Sequence, residues 1–263
     1  PCILLQLVAT GKPLSTVGMR IEDRTRTFII AMERTVVPEN FSFRMTDEEY
    51  RVLEKIKNSI PVCYLADHAD FALGIVTGNN KKFLSAEKTE HSEMVLKGTD
   101  ICKYHINPAK QYLRFEPEQF QQVAPLEIYR APEKLLYRFI SNQLVVAYDD
   151  RQMLSLNSCN IVIPKIEGMQ IKYILAILNS SVSQFVYQKE FHSIKVLRAH
   201  MEHIPIPRVG KAIQNEIIAM TEPLICGMGK EAAETCQKRL DCRIMDLFRL
   251  SAEEQWIIRH ALH

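Results

Sequence analysis

The sequence predicts an α+β fold: a mixed, β-rich α/β body over residues 1–168, followed by a C-terminal helical region over residues 169–263. Three observations predict it. Short β-branched or aromatic runs, punctuated by Gly and Pro, fill the chain up to Gly168. Apolar residues at helical spacing dominate after it. Two capping boxes, at Thr46–Glu49 and Ser251–Glu254, mark helix starts near opposite ends.

Taken in order, residues 2–8 and 27–32 are apolar or β-branched and read as strands, with Gly11-Lys12-Pro13 breaking the first run. Thr46 then opens a helix. Asp47, Glu48 and Glu49 suit its positive N-terminus, Leu53, Ile56 and Ile60 share a face, and Pro61 ends it. Residues 71–84 have strand character on either side of a turn at Thr77-Gly78-Asn79-Asn80. Residues 144–148 read as a strand, Asp149-Asp150-Arg151 as a tight turn, and residues 153–156 as the hairpin partner. Residues 160–163 form another strand, stopped by Pro164. Beyond Gly168, Ile171, Ile174, Leu175, Leu178, Val182 and Phe185 keep helical spacing. A break at Ile204-Pro205-Ile206-Pro207 precedes a helix marked by Ile213, Ile217, Met220 and Leu224. Ala233, Cys236, Leu240, Ile244 and Leu247 mark another, spaced like a bundle seam, and Trp256, Ile257 and Ile258 follow the second capping box.

Composition narrows the function classes. A hydrophobic share of 47% and a charged share of 24% over 263 residues are those of a soluble globular chain. No apolar run reaches the ~18 residues that a membrane helix needs, so no membrane partner is expected. The start, Pro-Cys-Ile-Leu-Leu, lacks an initiator Met and a signal peptide, and reads as a chain entered partway. Seven scattered cysteines without a Cys-x-x-Cys pair fit small core residues in a reducing cytoplasm and argue against a zinc site. The net charge of +2 announces no polyanion partner. Between Lys189 and Lys211, however, Lys189, Lys195, Arg198, Arg208 and Lys211 outnumber Glu190 and Glu202, with His192, His200 and His203 among them.

The chain lacks the common catalytic patterns. Neither Gly-x-Gly-x-x-Gly nor a P-loop occurs: Gly74 and Gly78 are too close, and Asn79 stands where the lysine would be. There is no His-Glu-x-x-His and no Gly-x-Ser-x-Gly elbow. Glu127, Glu133, Asp149 and Asp150 have no spacing that commits them to acid–base work, and the three histidines lack a fourth ligand. No catalytic residue and no metal is therefore assigned. The most suggestive local feature is Thr77-Gly78-Asn79-Asn80-Lys81-Lys82. Glycine lets a backbone approach a partner, Asn offers a donor and an acceptor together, as adenine recognition in a major groove requires, and lysines neutralise phosphates. A solvated turn uses the same residues, and both readings stand at this point.

At this turn the chain resembles a known family. The run from Phe71 to Phe83, FALGIVTGNNKKF, is similar to the Gly-hydrophobic-x-Thr-Gly-x-Asn-x-x-Phe segment of TaqI-like specificity domains, which lie C-terminal to the catalytic domain in type II and IIG adenine-specific DNA methyltransferases. Further segments follow in that family's order: Lys97 to Tyr104 (KGTDICKY); residues 138–149 with 157–163; the helix at 171–180 ending in Leu-Asn-Ser; Met201 to Pro207 with its Ile-Pro-Ile-Pro exit; and the closing stretch 240–254. Arg249 departs from the pattern, standing where that closing motif has Gly. The catalytic Asn-Pro-Pro-aromatic motif is missing; the nearest string is Asn107-Pro108-Ala109-Lys110.

The resemblance implies a target-recognition body that binds double-stranded DNA and partners an N-terminal methyltransferase domain of the same protein. S-adenosylmethionine would belong to that other domain, and Mg only to a nuclease in the parent, so no cofactor is expected in this chain. The residues expected at DNA are Thr77, Asn79, Asn80, Lys81, Lys82, Lys97, Lys103, Tyr104, Arg138, Asn157, Ser158, Asn160, His192 and Lys195. The competing expectation is a protein-interaction domain whose seam from Ala233 to Leu247 docks a partner subunit or the catalytic half.

Overall fold

Strand β1 (Arg20–Glu22) pairs antiparallel with β2 (Thr27–Ile29), Arg20 opposite Ile29. The computed structural model describes residues 17–22, 26–34, 45–191 and 193–262; the strand expected at 2–8 and its Gly-Lys-Pro break lie outside them. Two compact units emerge, Pro1–Arg51 and Val52–His263. In the first, the predicted capping box opens α1 (Asp47–Asn58): Thr46 Oγ1 accepts from Glu49 N at 3.2 Å, and Glu49 Oε2 accepts from Thr46 N at 3.0 Å. Asp47 receives the Arg34 guanidinium at 2.7 Å and the Ala31 N–H at 2.8 Å, so the buried carboxylate is fully matched. α1 continues into the second unit.

There, two sheets carry the body. The elements are β3 (Val62–Cys63), β4 (Ala69–Ala72), the single-turn α2 (Asn80–Phe83), β5 (Leu84–Ser85), β6 (Glu93–Leu96), a 3₁₀ turn (Gly98–Asp100), β7 (Tyr112–Leu113), α3 (Leu126–Tyr129), β8 (Lys134–Arg138), β9 (Val146–Asp149), β10 (Leu154–Ser155) and β11 (Cys159–Pro164). One sheet runs β4-β11-β8-β9, antiparallel throughout; the other runs β10-β6-β7-β5, with β10 parallel to β6. Their shared core includes Ile75, Leu96, Ile101, Leu136, Leu154 and Ile161.

Two sequence expectations change here. The segment after β9 is not its hairpin partner. Asp149 Oδ1 and Oδ2 accept from the Arg151 and Met153 amides at 2.9 Å each, and Gln152 sits at φ 58°, so the chain turns away and β10 joins the other sheet. β9 pairs instead with β8, Lys134 opposite Asp149. The strands on either side of the 77–80 turn, β4 and β5, do not pair with each other: α2 follows the turn, β4 pairs with β11 and β5 with β7.

The helix expected from Ile171 begins as predicted but breaks at Ser180. α4 (Ile171–Asn179) stops at Ser180, whose hydroxyl accepts from Ser183 N at 3.3 Å and caps α5 (Ser181–Glu190). After α6 (Arg198–Glu202), the Ile-Pro-Ile-Pro segment supplies β12 (Ile206–Pro207), paired with β3. α7 (Lys211–Cys226), α8 (Lys230–Leu247) and α9 (Ala252–Ala261) complete the chain, and Ser251 and Glu254 form the second predicted capping box. The 168/169 boundary lies within the second unit, where α4 packs on β8 and β9. Leu240 and Ile244 of the predicted seam are fully buried as α8 packs on α7 and α5. No helix among the described residues is long and apolar enough to cross a membrane.

Candidate nucleic-acid interface

Four segments distant in sequence meet at one edge of the body. Ile75 N donates to Ser155 O at 2.7 Å and Asn157 N to Ile75 O at 3.1 Å, locking the 74–76 segment beside the 155–157 turn. Leu156 N donates to Leu96 O at 2.8 Å, which brings the 97–100 turn alongside. The approach is close enough to demand glycine. A Cβ on Gly74 would lie 2.2 Å from Leu156 O, and one on Gly98 2.4 Å from Ser158 O. Arg138 ties the third segment in, its Nε donating to Gly98 O at 3.0 Å and its Nη2 to Ile101 O at 2.5 Å. Ser158 O receives Phe139 N at 3.0 Å, and residues 139–141 ladder with 194–196 through Val196 N to Phe139 O at 2.8 Å and Ser141 N to Ile194 O at 3.0 Å. Lys195 thereby joins the same neighbourhood.

On this frame the 77–82 loop is held from within. Gly78 adopts φ 75°, a left-handed conformation that glycine accepts without strain. Asn79 caps α2, its Oδ1 accepting from Lys82 N at 3.2 Å. Buried Thr77 donates its hydroxyl to Asn80 Oδ1 at 2.6 Å. Each Asn therefore spends an acceptor lone pair inside the loop. Asn79, Asn80, Lys81 and Lys82 are exposed, as are Asn157 and Lys195, and Lys97 is half-buried. The Lys82 ammonium lies 4.6 Å from the Phe83 ring centroid and that of Lys195 5.8 Å from Phe139.

Other predicted site residues are drawn into the framework. Arg138 spends its guanidinium on backbone carbonyls. Ser158 Oγ accepts from Gly98 N at 3.0 Å, and Asn160, 5% exposed, accepts from Gly74 N at 3.4 Å. Lys103 and Tyr104 point away from the loop edge, toward the helical region. They line a 570 Å³ cavity with Leu224, Met228 and Gln237. Lys103 Nζ donates to Asn179 O at 3.2 Å; burial pulls its pKa down, and the Asp241 carboxylate partly restores it. Tyr104, 2% exposed at φ 72°, is pushed well above the usual phenol range by burial and by Asp241; its hydroxyl faces the Gln237 carboxamide without a hydrogen bond of normal length. His192 lies outside the described residues.

Sequence reasoning missed Gln121. The antiparallel bridge between Val76 and Gln122, with reciprocal bonds of 2.9 and 3.1 Å, carries Gln121 to the loop, where its side chain covers Gly78. The two lie 43 positions apart, and no local pattern announces the pairing. No group of three or more His, Cys, Asp or Glu suited to a metal occurs among the described residues.

Comparison with known proteins follows this geometry. No curated protein matches the chain. Among solved structures, the type IIL restriction–modification enzyme MmeI, solved in complex with DNA, aligns at TM-score 0.52 and 10% identity over 76% of this chain and 35% of that one. The chain thus spans about a third of MmeI, and the likeness is one of fold. The HsdS subunit from Thermoanaerobacter tengcongensis aligns at TM-score 0.40 and 13% identity, over 82% of this chain and 50% of that one. The type IIG restriction endonuclease BpuSI aligns at TM-score 0.42 and 10% identity, over 78% and 33%. The model of the TaqI-like C-terminal specificity domain matches residues 93–206, a span that holds the 97–100 turn, Arg138, the 157–160 turn and the 194–196 ladder. Over that span the chain is similar to the TaqI-like C-terminal specificity domain.

Proposed function

We propose that this chain is the sequence-specific double-stranded DNA recognition domain of a restriction–modification adenine-specific DNA methyltransferase. The observation that carries the reading is the convergence of the 74–82, 97–100, 138–141 and 155–160 segments into one edge. Its exposed side chains include the amides of Asn79, Asn80 and Asn157 and the ammonium groups of Lys81 and Lys82, and its backbone is held by glycines that admit no side chain. Lys81, Lys82, Lys97 and Lys195 supply salt-dependent attraction to phosphates, while amide groups discriminate base edges. Arg138, Ser158 and Asn160 act behind them by fixing the turns.

Bond-making belongs to an N-terminal methyltransferase domain of the longer protein, and S-adenosylmethionine to that domain. The docking alternative draws less support, because Leu240 and Ile244 of the α8 seam are spent on packing within the chain.

The test is binding of the purified chain to a random-sequence duplex pool at several salt concentrations. Recovered duplexes should share a motif, and log K should fall linearly with log salt. Absence of both binding and salt dependence at low salt would sink the proposal.

A further inference from the structure

The sequence points to Asn79 and Asn80 as the amides that read bases, yet the structure has engaged both. Asn79 Oδ1 holds the Lys82 amide at 3.2 Å, and Asn80 Oδ1 receives the Thr77 hydroxyl at 2.6 Å. These bonds tie both carboxamides to the loop itself and leave each oxygen only one further lone pair. A carboxamide reads adenine by accepting from N6 and donating to N7 in one plane, which needs a free oxygen and a free nitrogen side by side.

Gln121 meets that requirement. Its side chain is exposed, and its carboxamide makes no hydrogen bond among the described residues. It is nonetheless not loose. The Val76–Gln122 bridge fixes its backbone, and Gly78 supplies the floor it lies on: a Cβ on Gly78 would sit 3.4 Å from Gln121 Cβ and 3.5 Å from its Oε1. The glycine is required by the left-handed turn at φ 75°, and the Gln121 side chain rests on it at ordinary van der Waals distance. Lys81 and Lys82, on the same loop, are exposed and suited to the flanking phosphates.

We infer that Gln121 is a specificity-determining residue that reads the adenine of an A·T pair in the major groove, so that the duplexes this site selects carry an A·T pair at one defined position. The inference rests on the duplex-reading function proposed above and sharpens it to a residue and a base.

The experiment selects duplexes from a random pool with the full chain and three variants, Gln121→Met, Gln121→Ala and Gln121→Arg. Met keeps the volume over Gly78 without the amide, and Arg is suited to the O6 and N7 acceptors of guanine. Wild type should enrich adenine at one position; Met and Ala should lose that preference about tenfold or more, with the rest of the motif and the affinity for unrelated duplex unchanged. Arg should move the preference at the same position to guanine. A Met variant that keeps the full motif would show that Gln121 only packs on Gly78, and a loss spread over every position would show that it only shapes the loop. Either result overturns the assignment of Gln121 and leaves the duplex-reading function standing. A wild-type chain that enriches no sequence overturns that function and this inference with it.

Discussion

Single residues decide how the site is held. Lys134 and Asp149 are both fully buried and meet at 2.5 Å, with Lys134 Nζ also donating to Tyr129 O at 2.6 Å. Burial lowers the Lys134 pKa and Asp149 opposes that shift. Because both groups are buried, breaking the pair one-sidedly is costly. Lys134→Met leaves a buried carboxylate without its cation and should lower unfolding free energy by about 3–5 kcal/mol, read as an earlier urea midpoint. His200 offers a pH readout. Its ring stacks on Phe191 at 4.4 Å, and its Nδ1 accepts from Leu197 N at 3.1 Å. Burial, then nearby His203, lowers its pKa below the usual 6.5. Between the lowered folded value and 6.5 the unfolded chain binds more protons than the folded one, so stability falls as pH drops through that window. Urea midpoints at pH 7.5 and 5.5 should therefore diverge less in His200→Gln than in wild type. An equal divergence would place the proton linkage elsewhere.

Elements show how a sheet edge is closed without another strand. β9 ends its sheet, and its outer backbone would be open to pairing. Two carboxamides take the place of a ladder. Asn179 accepts from Val146 N at 3.1 Å and donates to Val146 O at 2.8 Å, and Gln184 does the same for Leu144 at 3.1 and 2.9 Å. Tyr104 adds bonds to Val146 O and from Tyr148 N at 2.7 and 3.1 Å. The helical region thus locks onto the sheet through polar side chains at the break between α4 and α5. Asn179→Ala strips the Val146 N–H of its partner and should cost about 1–3 kcal/mol for each group left unsatisfied. Faster hydrogen exchange at Val146, measured by NMR, would locate the loss; an unchanged rate there would refute the ladder role.

Across the whole molecule, charge is nearly balanced at +2, so any grip on a polyanion must be local. The exposed lysines that share the loop edge are few, which sets an expectation for salt. Replacing Lys81 and Lys82 together by Ala should weaken binding to all duplexes alike and reduce the log–log salt slope by about 2, roughly one per phosphate contact. Selectivity between duplexes should survive. A variant that changes base preference but not the slope would place these lysines at bases and not at phosphates.

The sequence by itself determined what is local. Both capping boxes, the breaks at Pro61 and 204–207, and the helical faces of α7 and α8 follow from residues a turn or two apart, whose contacts are set before the chain folds up. The segments 71–83, 97–104 and 157–163, singled out in the sequence, each contribute to the edge. Only the tertiary structure decided what each residue there does. A period-two pattern does not name a strand's partner, so the parallel joining of β10 to β6 and the antiparallel joining of β5 to β7 stayed hidden. For the same reason Arg138, Asn160 and Tyr104, polar in sequence, turned inward. Gln121 reached the loop through a backbone bridge between residues 46 positions apart, a contact that loop closure, and no local preference, brings about.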